Sequence, residues 1–259
     1  MLKKTTRALL PALLPTLLMV APVGALQAAP ANVAAAVASK ARPPEDVKMD
    51  ASRKPVELLR FFGLEQGDRA LDLFTGSGYY AELIGNAVGK SGSVVAWEPV
   101  NFYKDDTKKA WAALKGRVPN ARLMVGTAKE MSFAPASFDF VLMHMIYHDT
   151  YWESEKYGFP RMDPAVFLEK VYAATKPGGI VGVVDHAAEP GGEVRAVADK
   201  LHRIDPAVIR ADFERAGFVL DGESDLLRNP ADDRAKLVFD PAVRGKTDRV
   251  VYRFRKPAA

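Results

Sequence analysis

The alternation of short apolar segments with segments of helical periodicity is the feature that most constrains the fold. Five short apolar segments are predicted to be buried strands, at residues 69–75, 93–97, 122–125, 138–145 and 180–184. Helices are predicted around and between these strands, at residues 56–64, 79–88, 103–114, 164–175 and 206–216. Because a strand, a helix and a second strand form a right-handed crossover, this order predicts a parallel sheet with helices on both faces.

Two more strands follow near the end of the chain. Residues 218–220 and 249–254 have strand character, and no helical segment lies between them. They are predicted to form an antiparallel hairpin, with residues 221–248 as a long connection. The predicted fold class is therefore α/β, with a Rossmann-like sheet of seven strands that is mostly parallel.

The first residues have the pattern of a targeting segment. Three basic residues precede an apolar stretch at residues 8–20, and small residues follow it. This pattern predicts a signal peptide over residues 1–28, cleaved between residues 25 and 31. The alternative is an uncleaved membrane anchor, although the apolar stretch is too short to span a bilayer comfortably. We expect an exported protein of the bacterial periplasm, without a membrane span after cleavage.

The rest of the chain divides into a linker and one domain. Residues 29–45 are rich in Ala and Pro, which predicts a disordered linker, and residues 46–259 are predicted to be the functional domain. The net charge of +4 includes three basic residues before residue 8, so the remainder is nearly neutral and no nucleic-acid partner is predicted. The chain has no cysteine, which excludes disulfides, a thiolate nucleophile and cysteine-based metal sites.

A glycine turn follows the first predicted strand, at the sheet edge where ligands bind in folds of this kind. Gly76 and Gly78 allow the backbone to turn tightly and to approach a ligand closely. The segment Gly76-x-Gly78-x-x-Ala81, with Glu98 after the second strand, also fits a dinucleotide-binding fingerprint. From these residues alone, a nicotinamide enzyme, a methyltransferase and an ordinary strand–helix turn all remain open.

Residues 53–256 resemble the class I S-adenosylmethionine (SAM)-dependent methyltransferases, and five segments carry the resemblance. They are Arg69–Tyr80 at the first strand, Val94–Glu98 at the second, Gly126–Ala128 after the third, Phe138–Leu142 at the fourth and Lys176–Gly179 before the fifth. Lys176-Pro177-Gly178-Gly179 is the most specific, because nicotinamide-binding folds do not usually carry it. A C-terminal antiparallel hairpin is also typical of this family, and the whole chain is most similar to a group of exported bacterial methyltransferases.

The resemblance implies SAM as the cofactor and a set of residues that bind it. They are Asp72, Thr75, Gly76, Ser77, Gly78, Glu98, Thr127, Ala128 and Met143. Asp72 is expected to offset the cationic groups of SAM, and Glu98 to accept hydrogen bonds from the ribose hydroxyls. Two residues depart from the family pattern. Phe74 replaces the first glycine of the first motif, and Thr127 replaces an aspartate that often binds the adenine amine.

The methyl acceptor is expected at the end of the fourth strand, near the ends of the neighbouring strands. The catalytic candidates there are His148, His144, Tyr147, Asp149, Asp185 and His186. A histidine titrates near neutral pH, so it can take the proton of an O- or N-acceptor, and His148 is the preferred base. Some of these residues are alternatively ligands of a divalent metal ion, but a base is favoured over a metal site.

The predicted function is SAM-dependent methyl transfer to a small-molecule acceptor, at oxygen or nitrogen. An exported nicotinamide-dependent oxidoreductase is one alternative, and Lys176–Gly179 argues against it. A non-catalytic module that binds SAM or a nucleotide is the other. It is considered because Phe74 and Thr127 depart from the family pattern and because SAM is made in the cytoplasm, whereas an exported enzyme needs another supply.

The predicted signal peptide can be tested on the protein from its native host. Because signal peptidase removes the leader, mass spectrometry should find a mature chain that starts between residues 25 and 31. Recovery of the chain with an intact Met1 from the cytosolic fraction would contradict export with cleavage.

Overall fold

The computed structural model describes residues 1–3 and 28–258, and a seven-stranded sheet forms its centre. The strands are β1 Arg69–Leu73, β2 Ser93–Pro99, β3 Ala121–Gly126, β4 Phe138–His144, β5 Thr175–His186, β6 Val219–Glu223 and β7 Arg249–Arg255. Their order across the sheet is β3-β2-β1-β4-β5-β7-β6. Neighbouring strands among the first five are parallel, whereas β7 is antiparallel to both β5 and β6.

The predicted fold class is confirmed by this arrangement, including the hairpin of β6 and β7 with its long connection. The usual dinucleotide-binding sheet has the strand order 3-2-1-4-5-6. In this chain β7 is inserted between β5 and β6. The sheet therefore differs from that of the nicotinamide enzymes considered as an alternative.

Helices cover the sheet and connect its strands. They are α1 Val33–Val37, α2 Pro44–Arg53, α3 Pro55–Phe62, α4 Tyr79–Val88, α5 Asp105–Arg117, α6 Pro164–Ala174, α7 Val194–Leu201 and α8 Pro206–Arg215, with a 3₁₀ helix at Tyr147–Tyr151. None of the helices in the described part of the chain is long and apolar enough to cross a membrane.

The two faces of the sheet carry separate hydrophobic cores, because side chains alternate between faces along each strand. Ala70 of β1 and Leu142 of β4 pack with residues of α1, α3, α4 and α5. Leu71 of β1 and Val141 of β4 pack on the opposite face, with residues of α6 and α8. The predicted placement of helices on both faces is therefore present in the structure.

The segment Lys176–Gly179 was predicted to end a helix ahead of the fifth strand. In the structure β5 begins earlier, at Thr175, and includes this segment. Its pairing with β4 is irregular there, because the register shifts between Phe138 and Phe140. Gly178 has a φ of 79°, a left-handed conformation that suits glycine. The segment is thus a bulged strand start rather than a turn before the strand.

Residues 29–45 are ordered, contrary to the predicted disordered linker. Val33 of α1 is buried, and α1 packs against α3 and α4. The main-chain amides of Ala31 and Asn32 donate to the carbonyls of Leu64 and Ala87. The Ala-rich composition resembles that of a linker, but its small side chains allow the segment to lie close against α4. The predicted signal peptide falls mainly on residues 4–27, which lie outside the described residues.

Substitution of Val33 tests whether this segment contributes to stability. Val33→Ala should lower the free energy of unfolding by about 2 kcal/mol, from ~0.8 kcal/mol per lost methyl-sized group and the cavity left behind. Val47→Ala is the matched control on α2, because Val47 is 47% exposed and should change stability by less than about 0.5 kcal/mol. Urea denaturation measures the free energy of unfolding of both variants. A Val33→Ala variant as stable as the wild type would show that residues 29–45 do not support the fold.

Candidate functional site

The turn after β1 is held in an unusual backbone conformation. Phe74, Gly76 and Gly78 have φ values of 55°, 56° and 91°. The left-handed conformation costs a non-glycine residue such as Phe74 about 1–2 kcal/mol. Its aromatic ring packs edge-on against Trp97 and Phe159, and these contacts offset that cost. Phe74 thus has a left-handed backbone of the kind that suits glycine, while its ring fills space beside the turn.

Gly76 is fixed by hydrogen bonds at both its amide and its carbonyl. The amide donates to Oε2 of Glu98 at 2.8 Å, and the carbonyl accepts from Nε1 of Trp111 at 2.9 Å. A Cβ added to Gly76 would meet no atom within 4 Å, so open space adjoins this residue. A Cβ on Gly78 would approach Leu114 to 2.6 Å. Gly76 therefore leaves room for a ligand, whereas Gly78 permits close helix packing.

A cavity of about 600 Å³, here called the first cavity, opens beside this turn. The predicted cofactor residues Asp72, Thr75, Gly76 and Ser77 line it. On other sides it is lined by residues of α2, α4 and α5 and by the end of β4, including Arg53, Tyr80 and His144. Its volume lies within the range of about 300–1,000 Å³ that is common for small-molecule sites.

Helix α2 is fixed over the first cavity by a buried ion pair. Arg42 makes two hydrogen bonds of 2.7 Å to the carboxylate of Asp50. The hydroxyl of Tyr79, at the start of α4, donates to the same carboxylate at 2.6 Å. The guanidinium of Arg53 lies over the ring of Tyr79, 4.3 Å from its centroid. These contacts place the cationic end of α2 beside the glycine turn.

Two buried carboxyl groups adjoin the turn, and burial dominates their titration. It raises the pKa of Asp72 to about 7, although the Thr75 hydroxyl donates to Asp72 at 2.6 Å and favours its charged form. Burial also raises the pKa of Glu98 to about 7, against the opposing effect of the Gly76 amide. Both groups can therefore gain or lose a proton near neutral pH, and a cation bound beside them favours the charged forms.

The first cavity also contains two polar groups that lack partners. The hydroxyl of Tyr80 and Nε2 of His144 are buried, and neither has a hydrogen-bond partner among the residues that the structure describes. Their rings are adjacent, with centroids 4.5 Å apart. Burial, together with the charges of Arg53 and Arg249, holds the pKa of His144 well below its usual value. His144 is therefore neutral at pH 7, because the same burial and charges disfavour its protonated form.

A second cavity, of about 530 Å³, is lined by His148, Asp149, His186 and His202. Met145 lines both cavities, so the end of β4 forms a wall between them. The structure thus divides the catalytic candidates, which were predicted to share one site. His144 lies with the cofactor residues in the first cavity, whereas His148, Asp149 and His186 lie in the second.

His148 is held by Asp185, which is fully buried. Nδ1 of His148 lies 2.7 Å from Oδ1 of Asp185, and the main-chain amide of His148 donates to Oδ2 at 2.8 Å. Burial acts to lower the pKa of His148, but the charges of Asp185 and Asp149 outweigh it and raise the pKa to about 9. His148 is accordingly protonated at neutral pH, which does not support its predicted role as a base there.

Several other predicted site residues lie away from the cavities. Tyr147 is buried and donates its hydroxyl to Asp212 at 2.9 Å, so it is a core residue. Met143 is buried on the face covered by α6 and α8. The Thr127 hydroxyl donates to Glu130 at 2.8 Å. Ala128 packs near Trp152 and Phe159 in a small apolar cluster.

Three polar residues used in the arguments below line the cavities but were missed by sequence reasoning: Tyr80, Arg53 and His202. Tyr80 follows the glycine turn directly, so its place in the quoted first motif was an available signal. Arg53 lies on α2, whose charged sequence gives no sign of the cavity below it. His202 ends α7, and no local pattern connects it with the 3₁₀ helix that carries His148 and Asp149.

Comparison with known proteins gives a family match over the centre of the chain. Residues 71–183 match the model of a family described as a methyltransferase domain. A demethylmenaquinone methyltransferase of Geobacillus kaustophilus is 27% identical over 126 residues, which cover 48% of this chain and 47% of that protein. The chain thus matches about half the length of this curated relative.

Solved structures of similar fold cover more of the chain. A SAM-dependent methyltransferase from Aquifex aeolicus has a TM-score of 0.57 at 20% identity, covering 83% of this chain and 98% of that one. The [4+2]-cyclase SpnF has a TM-score of 0.54 at 17% identity, covering 83% and 81%. At these identities the similarity concerns the fold. Together with the match of residues 71–183 to a methyltransferase domain, this similarity to SAM-dependent methyltransferases supports SAM as the cofactor.

Proposed function

We propose that this chain transfers the methyl group of SAM to an oxygen or nitrogen of a small-molecule acceptor, within the first cavity. The observation that carries the proposal is the presence of His144 and Tyr80, with their unpartnered polar atoms, in the same cavity as Asp72 and Gly76. Buried polar groups in native proteins normally have a partner, so a bound ligand accounts for both atoms.

The glycine turn has the features needed to hold SAM. Gly76 adjoins open space, and the buried carboxyl group of Asp72 lies at the cavity where it can offset a cationic amine or sulfonium. Glu98 is proposed to accept the ribose hydroxyls; in this structure it does not line the first cavity, and its Oε2 accepts from the Gly76 amide. SAM supplies an electrophilic methyl group when it is bound.

The chain's contribution to the reaction is alignment and proton removal. Helix α2 covers the cavity, so the acceptor is held beside the turn and bulk water is reduced. His144 is neutral, and with SAM bound its Nε2 would take the proton that the acceptor loses. Tyr80 is a positioning residue that donates its hydroxyl hydrogen bond to the acceptor. The proposed base is thus His144 in place of His148.

We further propose that the mature protein acts outside the cytoplasm, as the pattern of residues 1–28 predicts. The relative is named a demethylmenaquinone methyltransferase, and a small molecule as its named acceptor supports a small-molecule acceptor for this chain. The match covers under half of that relative, so the acceptor is proposed only as a class.

Removal of the proposed base should impair turnover without loss of cofactor binding. In His144→Gln, transfer of labelled methyl from SAM to a small-molecule extract should fall about 10²–10⁴-fold, the usual contribution of a general base. Calorimetric titration should give S-adenosylhomocysteine affinities within about twofold of the wild type, because His144 is assigned to the acceptor side.

The matched comparison is Tyr80→Phe, which removes only the hydroxyl and should have a smaller effect on turnover. Wild-type turnover in His144→Gln would eliminate His144 as the base. A wild-type protein that binds NAD but neither SAM nor S-adenosylhomocysteine would overturn the whole proposal.

The buried carboxyl groups predict that SAM affinity depends on pH. Because the pKa of Asp72 is raised to about 7, this group is neutral below that pH and must lose a proton to pair with a cation. The charge of Arg53 lowers the pKa of Asp72, against the larger effect of burial. Glu98 also has a pKa of about 7, so it titrates in the same range. The affinity for SAM should therefore fall by about tenfold per pH unit below 7 for each carboxyl group involved.

Calorimetry at pH 6, 7 and 8 measures this dependence. Asp72→Asn should weaken binding at pH 8 and flatten the pH profile, because one titrating group is removed. Asp105→Asn is the control, since Asp105 is exposed on α5 and should leave the profile unchanged. A wild-type affinity that is constant across this range would refute the assignment of these carboxyl groups to the cationic ligand.

A further inference from the structure

We propose that His148, Asp149 and His202 bind one divalent transition-metal ion, with Zn²⁺ as the best match, in the second cavity. The three residues form a group that can offer one ligand atom each, all within 4.8 Å of one another. This site is independent of the proposed methyl transfer, which uses residues of the first cavity.

The distances between these atoms suit a metal better than they suit hydrogen bonds. Nε2 of His148 lies 3.4 Å from Oδ1 of Asp149, and Nδ1 of His202 lies 3.6 Å from the same oxygen. Hydrogen bonds of this type are about 2.7–3.2 Å long. Two ligands at tetrahedral positions around zinc are about 3.3–3.5 Å apart, given metal–ligand distances near 2.1 Å. The distance from Asp149 to His148 lies in this range, and the distance from Asp149 to His202 is just above it.

Asp185 provides a second and independent argument. It holds Nδ1 of His148 at 2.7 Å and the main-chain amide of the same residue at 2.8 Å. Metal-binding histidines almost always donate their other ring N–H to a carboxylate, a carbonyl or water. This arrangement fixes the orientation of the ring and leaves Nε2 directed at Asp149. His148 and Asp185 thus have the geometry of a carboxylate–histidine–metal unit.

His202 is brought to the group by a strained backbone and aromatic packing. It ends α7 with a φ of 49°, in the left-handed region that few histidines adopt. Its ring lies between those of Trp152 and Phe239, with centroids 5.0 and 5.2 Å away. Such strain persists where the surrounding structure enforces it, and it concentrates at functional sites.

The donor set determines the class of metal. Two imidazoles and one carboxylate suit Zn²⁺ and neighbouring transition metals, whereas Mg²⁺ and Ca²⁺ prefer oxygen ligands alone. Sites with three protein ligands keep a position for water or a substrate. All three residues line the second cavity of about 530 Å³, so a small anionic ligand of the metal has room there.

Equilibrium dialysis of the full chain against Zn²⁺, after treatment with a chelator and removal of any histidine tag, tests the proposal. The wild type should bind one Zn²⁺ per chain, and Co²⁺ should give visible absorption bands typical of tetrahedral coordination. His202→Asn should weaken Zn²⁺ binding by more than about 100-fold, and Asn tolerates the left-handed backbone of this position. Asp185→Asn should weaken it by about 10–100-fold, as expected for a partner of a ligand.

Asp199→Asn is the matched control, because Asp199 lines the same cavity but does not belong to the group. It should bind Zn²⁺ as the wild type does, and circular dichroism should show that all variants are folded. A wild type that binds no Zn²⁺ at micromolar concentration would overturn the proposal. Unchanged binding in folded His202→Asn would also overturn it, because the metal would then lie elsewhere.

Discussion

The parallel register of β1, β4 and β5 is the constraint on which both cavities depend. Leu73 pairs with Met143, and His144 pairs with Val184. Parallel strands in register end at the same edge of the sheet, so residues far apart in the sequence become neighbours there. Without this register, the glycine turn after β1 would not lie beside His144, and Asp185 would not lie beside His148.

The alternation of side chains along the strands then places polar residues of this edge on both faces of the sheet. Asp72 and His144 lie on the face covered by α4, since they are even-numbered partners of Leu142 and Val184 in its core. Asp185 follows Val184 in β5, so its side chain lies on the opposite face of the sheet, where it contacts His148. A period of two is sufficient to separate residues that are adjacent in sequence. His144 ends β4, whereas His148 lies on the 3₁₀ helix that follows and is held by Asp185, so these two histidines line different cavities.

Much of the fold could be predicted because it depends on local patterns. The apolar strands, the glycine turn and the helix α4 at Tyr79–Val88 follow from residue types within a few positions. The order of elements then restricts the sheet to few topologies. The prediction of a disordered linker at residues 29–45 was made from their composition, but whether this segment is ordered depends on its packing against the rest of the domain. Val33 is buried only because α3 and α4 already present a surface to it.

The candidate site was predicted less well, because its geometry depends on distant contacts. Asp72 and Gly76 were found from a local motif, and they do line a cavity. His148 was preferred as a base because Asp149 adjoins it, but burial, which lowers its pKa, is outweighed by the charges of Asp185 and Asp149, which raise the pKa to about 9. His202 reaches this group from another part of the chain, and only the fold brings it there.

Strained residues mark the places where these distant contacts meet. Phe74, Met145 and His202 are three of the five non-glycine residues with positive φ in the described part of the chain. Each costs about 1–3 kcal/mol, so each persists only where neighbouring contacts fix it. Phe74 borders the glycine turn, His202 lies in the proposed metal group, and Met145 separates the two cavities. The amide of Met145 also donates to the carbonyl of Val184 at 2.6 Å. The position of the wall between the cavities therefore depends on the pairing of β4 with β5.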